Sequence, residues 1–248
     1  MSGNTQMSGF LTQEELTRLL PTGHPVAYGT GTILVREGDK SDFVLYLRQG
    51  HIKAVVGEPK SIAYIFSPGS IVGELAAMTE QPRTADLIAL NDVEAHVIPG
   101  AAWMEFLMSE PRANLAMLKH LAGRIVAKDL PEVESATTSE HKIAKGLVRL
   151  IDAGMGQETG DGIRITGVTQ RDLGSLSGLS RETAAVVLRR MREAGTVATA
   201  RGSLLIRDPE AIERLIQRDD RRHLTHDAGR YQYAPGRRAR HRLGPPPR

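Results

Sequence analysis

The 248-residue chain contains no cysteine. This absence excludes a disulfide framework, a cysteine-held zinc site and an iron–sulfur cluster, because all three need cysteine sulfur. The chain also lacks any run of 18 apolar residues, so no membrane span is predicted. Its first residues do not combine a charged segment with an apolar run. We therefore expect no secretory signal peptide and predict a cytoplasmic protein that does not bind membranes.

Catalytic patterns are missing as well. The eight histidines show no H-E-x-x-H spacing, and the sequence contains neither a P-loop nor a G-x-S-x-G motif. His51 and His96 are the candidate haem ligands, but lone histidines in β-rich segments are usually structural or exposed. The sequence therefore predicts a protein that is not an enzyme and carries no metal and no resident cofactor.

Basic residues are concentrated at the C-terminal end. Residues 217–248 contain nine arginines, no lysine and three aspartates, which gives a formal charge of +6. Since the whole chain carries +3, the remaining residues carry −3. Such a tail either adds salt-sensitive affinity for DNA phosphates or is a disordered, solvated segment without a special role.

Between residues 23 and 98, short β-rich stretches alternate with glycine turns. Many short strands at such spacing predict a β-sandwich or barrel. The predicted strands are Thr32–Val35, Phe43–Leu47, Ile52–Val56, Ile62–Phe66, Ile71–Val72, Ala85–Ala89 and Ala95–Ile98.

Within this region, the stretch GSIVGELAAMTEQPRTADLIAL combines features that suit a cyclic phosphate. Arg83 supplies a cation with fork geometry, and the Thr84 hydroxyl and N–H add donors. Gly73 lets the backbone approach closely, and the turn after it, with Leu75 and Ala76, offers free N–H groups. The Glu74 carboxylate can accept a hydrogen bond from a ribose 2′-hydroxyl.

Two helices are predicted after the β-rich region. The first covers Ala101–Met108 and contains Trp103, the only tryptophan; the second begins at Ser109-Glu110-Pro111. Along the second helix an apolar series recurs at nearly heptad spacing, at Leu115, Leu118, Ala122 and Ile125. This pattern suits a two-stranded seam between subunits, or else a helix that packs only on its own domain.

The segment from Val168 to Arg201 has the pattern of a helix-turn-helix followed by a β wing. Thr169 is a candidate N-cap of the first helix, and Ser180 caps the second. Gly178 lies at the sharp turn between them. Arg181 and Glu182 occupy the first turn of the second helix, where a recognition helix meets base edges. From spacing alone, an ordinary helical hairpin explains the pattern equally well.

The stretch LSRETAAVVLRRM resembles the recognition helix of the CRP/FNR family of bacterial transcription regulators, and the G-E-L-A and R-T-A elements resemble the phosphate-binding cassette of its sensor domain. The resemblance runs from about Leu16 to Ile216. It implies an α+β fold with a jelly roll, a dimerisation helix and a winged helix-turn-helix. It also implies a homodimer on a near-palindromic double-stranded DNA site, with RNA polymerase as a candidate partner.

The resemblance assigns roles to individual residues. cAMP or cGMP would be bound by Gly73, Glu74, Leu75, Ala76, Arg83 and Thr84. DNA would be contacted by Thr169, Gln170, Arg171, Ser180, Arg181 and Glu182. The expected domains are residues 1–11, a disordered N-terminus; 12–108, the cyclic-nucleotide-binding jelly roll with flanking helices; 109–136, the dimerisation helix; 137–216, the DNA-binding domain; and 217–248, the disordered basic tail.

Two departures from the family pattern concern specificity. Val186 occupies the position of a third base-reading arginine, and valine cannot donate a hydrogen bond, so the half-site should differ from the TGTGA of the family's best-known member. An ungapped alignment puts Pro131 and Glu132 where that member has an adenine-contacting Thr-Ser pair. The alternative function is therefore a ligand-independent DNA-binding regulator with a degenerate sensor.

Overall fold

The computed structural model describes residues 11–129, 138–200 and 202–217. The chain begins with helix α1, Gln13–Leu19, which has a complete capping box between Thr12 and Glu15, followed by a 3-10 turn, Leu20–Thr22. Leu11, which the sequence placed in the disordered N-terminus, is buried against this part of the core.

Two four-stranded antiparallel sheets form the N-terminal jelly roll. One sheet has the order β1-β8-β3-β6 and the other β2-β7-β4-β5. The strands are β1, His24–Tyr28; β2, Ile33–Val35; β3, Phe43–Gln49; β4, Ile52–Val56; β5, Ser61–Phe66; β6, Ile71–Val72; β7, Asp86–Ala89; and β8, Val93–Pro99. The side chains between the sheets include Leu45, Leu47 and Ile52, which are fully buried.

Helices connect and cover the jelly roll. Helix α2, Glu74–Thr79, lies between β6 and β7. Helix α3, Gly100–Ser109, buries Trp103, and helix α4, Pro111–Asp129, packs Ala113 and Met117 into the same cluster. The predicted helices are therefore present. The residues Pro131 and Glu132 and nearly all of the basic tail lie outside the described part of the chain.

The C-terminal domain has the winged helix-turn-helix architecture that the sequence predicts. Its helices are α5, Ser139–Asp152; α6, Gln170–Leu176; α7, Arg181–Glu193; and α8, residues 209–217. Its sheet has the order β11-β12-β10-β9 and comprises β9, Gly156–Thr159; β10, Gly162–Thr166; β11, Val197–Ala200; and β12, Ser203–Ile206. The predicted α+β fold is confirmed, but the predicted strands include neither β1 nor β9.

The two domains share a packed boundary. Leu90 of the jelly roll belongs to the same apolar cluster as Leu147, Leu173 and Ile165 of the C-terminal domain. Ile62 and Ile65 of β5 pack against that cluster as well. The outer face of the β4–β5 hairpin thus forms one wall of the C-terminal core. In the described residues, no helix is both long and apolar enough to cross a membrane.

Candidate functional site

Arg83 is the buried cation of the jelly roll, with only 4% of its surface exposed. Its Nε donates to Ser41 Oγ at 2.8 Å, Nη1 to the Gly73 carbonyl at 2.8 Å and Nη2 to the Phe43 carbonyl at 2.7 Å. The guanidinium also lies 4.6 Å from the centre of the Phe43 ring. Since a guanidinium has five N–H donors, two remain for an anion.

Charge and burial act in opposite directions on Arg83. Burial lowers the pKa of its guanidinium, while the carboxylates of Glu74, Asp42 and Asp39 raise it. Arginine titrates so far above neutral pH that the group stays charged. A buried charge of this kind is costly unless it is hydrogen-bonded and has an anionic partner, which makes the site suited to an anion.

Gly73 lies directly beside the Arg83 guanidinium. We call the site formed by Arg83, Gly73 and the first turn of α2 the cradle. Its φ of +87° is left-handed, and a Cβ at this position would overlap Arg83 Nη1. Glycine is therefore needed both for the turn into α2 and for the close approach of the arginine. The first N–H groups of α2, including those of Leu75 and Ala76, have no acceptor within the helix and face the end where Gly73 lies.

Glu74 is almost completely buried, and its partner comes from the long helix. Arg124 of α4 donates from Nη1 to Glu74 Oε1 at 2.5 Å. The Arg124 guanidinium also lies over the rings of Tyr64 and Phe66, at 5.4 and 5.9 Å from their centres. One arginine thus connects the cradle, β5 and α4.

All six residues predicted to bind the nucleotide line a single cavity of about 50 Å³. The remaining lining residues are Ala54, Phe66, Ala85, Leu87 and Arg124. Ligand pockets usually measure about 300–1,000 Å³. Arg124 is thus both a lining residue of this small cavity and the partner of Glu74. No sequence pattern indicates Arg124, because its spacing in α4 does not distinguish it from the other cations of that helix.

The helix-turn-helix residues are placed by two N-caps. The Thr169 hydroxyl accepts a hydrogen bond from the Asp172 N–H, and the Asp172 carboxylate accepts from the Thr169 N–H, so α6 begins with a full capping box. Ser180 Oγ accepts from the Thr183 N–H at 3.1 Å and caps α7. Gly178 has a φ of +63° at the turn between the helices.

These caps leave the predicted DNA-contacting side chains near one surface. Thr169, Arg171, Ser180, Arg181 and Glu182 are exposed, whereas Gln170 is half-buried. Thr169 and Ser180 already use their hydroxyls as caps. Within the described part of the chain, Arg171, Arg181 and Glu182 form no ion pair. Arg181 and Glu182 present charge at the start of α7, where helix-turn-helix proteins contact base edges directly.

The cradle lies on one face of β4, and the helix-turn-helix contacts the opposite face of the same strand. Side chains alternate along a strand, so neighbours point to opposite faces. On β4, Ala54 lines the cradle cavity, while Lys53 Nζ contacts Asp172 Oδ1 of α6 at 2.6 Å. On β5, the Ile62 N–H donates to Ser175 Oγ of α6 at 2.8 Å.

A second contact joins the jelly roll to the end of α5. His51 Nε2 and Ser67 Oγ both lie 2.8 Å from the Ala153 carbonyl oxygen. Since Nε2 must be a donor there, Nδ1 accepts from Asn91 Nδ2 at 3.2 Å. Both ring nitrogens of His51 are engaged, so this histidine has a structural role at the domain boundary and is not placed as a haem ligand.

A larger groove of about 760 Å³ lies between α5, the end of α7 and α8. Its cations are already paired: Arg190 with Glu140, and Arg214 with Asp208 and Glu210. All of these pairs lie at the surface. The groove therefore lacks the buried, partly unsatisfied cation that distinguishes the cradle, and size alone does not make it the ligand site.

Comparison with protein families gives two matches that divide the chain in the same way as the structure. Residues 25–110 match the cyclic nucleotide-binding domain, and residues 141–215 match the Crp-like helix-turn-helix domain. Together these matches cover more than half of the chain. The first contains the cradle, and the second contains both capped helices and the wing.

Relatives of similar length resemble nearly the whole chain. A cyclic AMP receptor protein of Thermus thermophilus is 25% identical over 205 residues, which cover 80% of this chain and 87% of that protein. A CRP-like cAMP-activated global transcriptional regulator of Mycobacterium tuberculosis is 26% identical over 195 residues, with coverages of 77% and 87%.

Solved structures share the fold. A c-di-GMP-responsive global regulator of Xanthomonas campestris superposes with a TM-score of 0.66 at 20% identity, covering 79% of this chain and 100% of that one. A CRP-family transcriptional regulator of Thermus thermophilus gives a TM-score of 0.67 at 19% identity, with coverages of 77% and 96%.

Proposed function

Since the chain belongs to the CRP/FNR family of transcription regulators, we propose that it is a homodimer whose binding to DNA is controlled by a cyclic nucleotide, cAMP or cGMP, held in the jelly roll. The family consists of regulators rather than enzymes. The observation that carries the proposal is the buried Arg83, held in place by three hydrogen bonds with two donors left, beside Glu74 and the dimer helix. Such a regulator acts on DNA in the cytoplasm.

The cradle supports recognition of a ribose cyclic phosphate. The two remaining Arg83 donors, the Thr84 hydroxyl and the N–H groups of Leu75 and Ala76 would contact the phosphate. Gly73 would allow its close approach, and Glu74 would accept from the ribose 2′-hydroxyl. Two relatives named for cyclic AMP support the choice of ligand class.

Arg124 supports a route from ligand to dimer. A ribose hydroxyl that donates to Glu74 competes with Arg124 for the same carboxylate oxygens. Because Arg124 also lines the cavity, a nucleotide would move it or share Glu74 with it. Arg124 belongs to α4, so ligand binding acts directly on the helix that we assign to the dimer interface. Ligand would then shift the population between two dimer geometries.

Helix α4 has the two faces that a dimer helix needs. Ala113 and Met117 point into the jelly-roll core, whereas Leu115, Leu118 and Ile125 expose 52%, 55% and 60% of their surface. These exposed side chains follow the near-heptad series of the sequence. A second copy of the same helix would bury them in a two-stranded seam.

DNA recognition is proposed for the surface formed by α6 and α7. Thr169, Gln170 and Arg171 would contact phosphates, Ser180 would contribute at the start of α7, and Arg181 and Glu182 would read bases. Arginine pairs with guanine, and glutamate accepts from cytosine N4. In a two-fold dimer the half-sites lie about 34 Å apart.

The ligand-independent alternative also has support. Glu74 is already paired with Arg124, and both residues line a cavity of only about 50 Å³. A sensor held in this arrangement would need no nucleotide. The two candidates differ in one observable: only the ligand-controlled regulator changes its DNA affinity when a nucleotide is added.

Thermal unfolding of the full chain with cAMP, cGMP or cyclic dinucleotides tests the ligand. A ligand present at 100 times its Kd adds about 2.7 kcal/mol, which raises Tm by several degrees. Arg83→Leu should abolish the shift. Arg48→Leu, at an exposed position of β3, is the matched control and should retain it.

Arg83 also holds the cradle together, so loss of binding in Arg83→Leu would not by itself distinguish a binding defect from misfolding. A second variant makes that distinction. Thr84 is exposed, so Thr84→Val should fold and bind about tenfold more weakly through the loss of a hydrogen bond to a charged group. If no nucleotide shifts Tm while sequence-specific DNA binding persists, the ligand-independent regulator is the better description. If nucleotide binds but no DNA sequence is selected, the assignment of α7 is wrong.

A further inference from the structure

The exposed face of α7 carries a small apolar patch that does not pack against the rest of the domain. Val186 exposes 40% of its surface, and its neighbour Ala185 is also exposed. The opposite face of α7 is the one that packs into the core, through Ala184, Val187, Leu188 and Met191. Val186 therefore contributes nothing to the core of its own domain.

Local helix energetics do not favour valine there either. A β-branched side chain loses rotamer freedom in a helix, so alanine, lysine or glutamate would suit an exposed mid-helix position better. Exposed apolar surface adds a further cost in water. A contact made outside the described chain would explain the residue.

The position of Val186 indicates what that contact is. Residues four apart in a helix are neighbours, so Val186 lies one turn beyond Glu182, and Ala185 lies one turn beyond Arg181. The patch thus continues the surface that carries the two proposed base readers. In the major groove, the only apolar group on a base edge is the C5-methyl of thymine, and small apolar side chains contact it.

We propose that Val186, supported by Ala185, recognises a thymine methyl group in each half-site. This inference rests on the proposed DNA-reading role of α7 and deepens it. The four residues from Glu182 to Val186 advance about 6 Å along α7, and base pairs are about 3.4 Å apart. The thymine should therefore lie one or two base pairs from the pair contacted by Glu182.

Uracil provides a clean probe, because it lacks only the methyl group and pairs with adenine in the same way. The 248-residue chain is first used to select its DNA site, with and without cAMP. Each thymine of the half-sites is then replaced by uracil, symmetrically, and Kd is measured at one salt concentration. One position should lose about fourfold in affinity per half-site, as expected for one buried methyl group.

Variants of Val186 test whether this residue causes the preference for thymine. Val186→Ala should bind the thymine and uracil sites equally, whereas Val186→Thr keeps one methyl group near the base and should keep part of the preference. Uracil placed outside the half-sites is the matched control and should change nothing. Alanine favours the helix, so Val186→Ala should remain folded.

Two results would overturn the inference: equal affinity of the unmodified protein for thymine and uracil at every half-site position, or a thymine preference that survives in Val186→Ala. Both leave the proposed DNA-binding function intact. Failure to select any DNA sequence would instead refute the DNA-reading role of α7, and the inference with it.

Discussion

Lys53 Nζ lies 2.6 Å from Asp172 Oδ1, and both side chains are more than four-fifths buried. This ion pair joins the strand that lines the cradle to the first turn of the helix-turn-helix. Burial alone would raise the pKa of Asp172, but the bonds from Lys53 and Thr169 outweigh it and hold that pKa below its usual value. The carboxylate is thus kept ionised while it also caps α6.

Removal of Lys53 should therefore weaken the connection between the domains. Lys53→Met leaves Asp172 without its cation and should destabilise the protein by about 1–3 kcal/mol in urea unfolding. A double-mutant cycle that combines Lys53→Met with Asp172→Asn should give a coupling energy of about 0.5–3 kcal/mol. Lys40→Met, at an exposed position, is the control and should have little effect.

The same variant has a functional consequence. Lys53 faces away from the cavity, so Lys53→Met should change nucleotide affinity less than twofold. It should reduce the ratio of DNA affinities measured with and without nucleotide. An unchanged ratio would show that this ion pair holds the domains together without transmitting the effect of the ligand.

His51 predicts a pH dependence of stability. Burial lowers its pKa below the ordinary value, and the hydrogen bond to the Ala153 carbonyl only partly opposes this. The unfolded chain takes up a proton near pH 6.5, while the folded protein resists protonation. Because the unfolded state then binds more protons, the free energy of unfolding should fall as pH drops below about 6.5, until the folded protein is protonated too.

Comparison with His51→Gln isolates this contribution. The pKa values of His96 and His120 are also lowered, chiefly by burial, so the unmodified protein loses stability from several sites. Urea unfolding at pH 8 and pH 5.5 should show a smaller loss in His51→Gln than in the unmodified protein. Identical losses would mean that His51 is protonated equally easily in both states.

The exposed series on α4 predicts the effect of a charge on assembly. Leu118→Glu would place two carboxylates opposite each other in the proposed seam, and light scattering after size exclusion should report a monomer. Lys119→Glu changes the charge on the neighbouring exposed position and should leave the dimer intact. A dimeric Leu118→Glu protein would place the subunit interface elsewhere.

The strands that the sequence missed lie at sheet edges. β1 and β9 are edge strands with mostly exposed or half-buried side chains, so neither shows the apolar pattern by which strands are predicted. β1 also contains Pro25, and proline is tolerated in a strand at an edge position. The central strands, with their regular burial and glycine turns, were predicted within about two residues.

The site residues that the sequence did not predict make contacts with residues that are far away in the sequence. Arg124 pairs with a residue 50 positions away, and Lys53 with one 119 positions away. Neither contact produces a local pattern, because it depends on how α4 and the helix-turn-helix pack on the jelly roll. The cassette residues were predictable because Gly73, Glu74 and Arg83 lie within eleven positions and form one local unit.

Arg83 and Arg124 differ in what holds them: Arg83 contacts protein groups that the proposed ligand does not use, whereas Arg124 contacts Glu74, which that ligand would also contact. An arginine side chain loses up to about 2 kcal/mol of rotamer entropy when it is immobilised. Arg83 has lost that freedom on folding, because three protein groups hold its guanidinium. A phosphate that binds there would therefore contact a guanidinium that is already held in position, which favours affinity. If the proposed ligand displaces Arg124 from Glu74, part of its binding free energy would be used to move α4. In the proposed regulator, Arg83 would thus determine how tightly the ligand binds, and Arg124 would determine how strongly the protein responds.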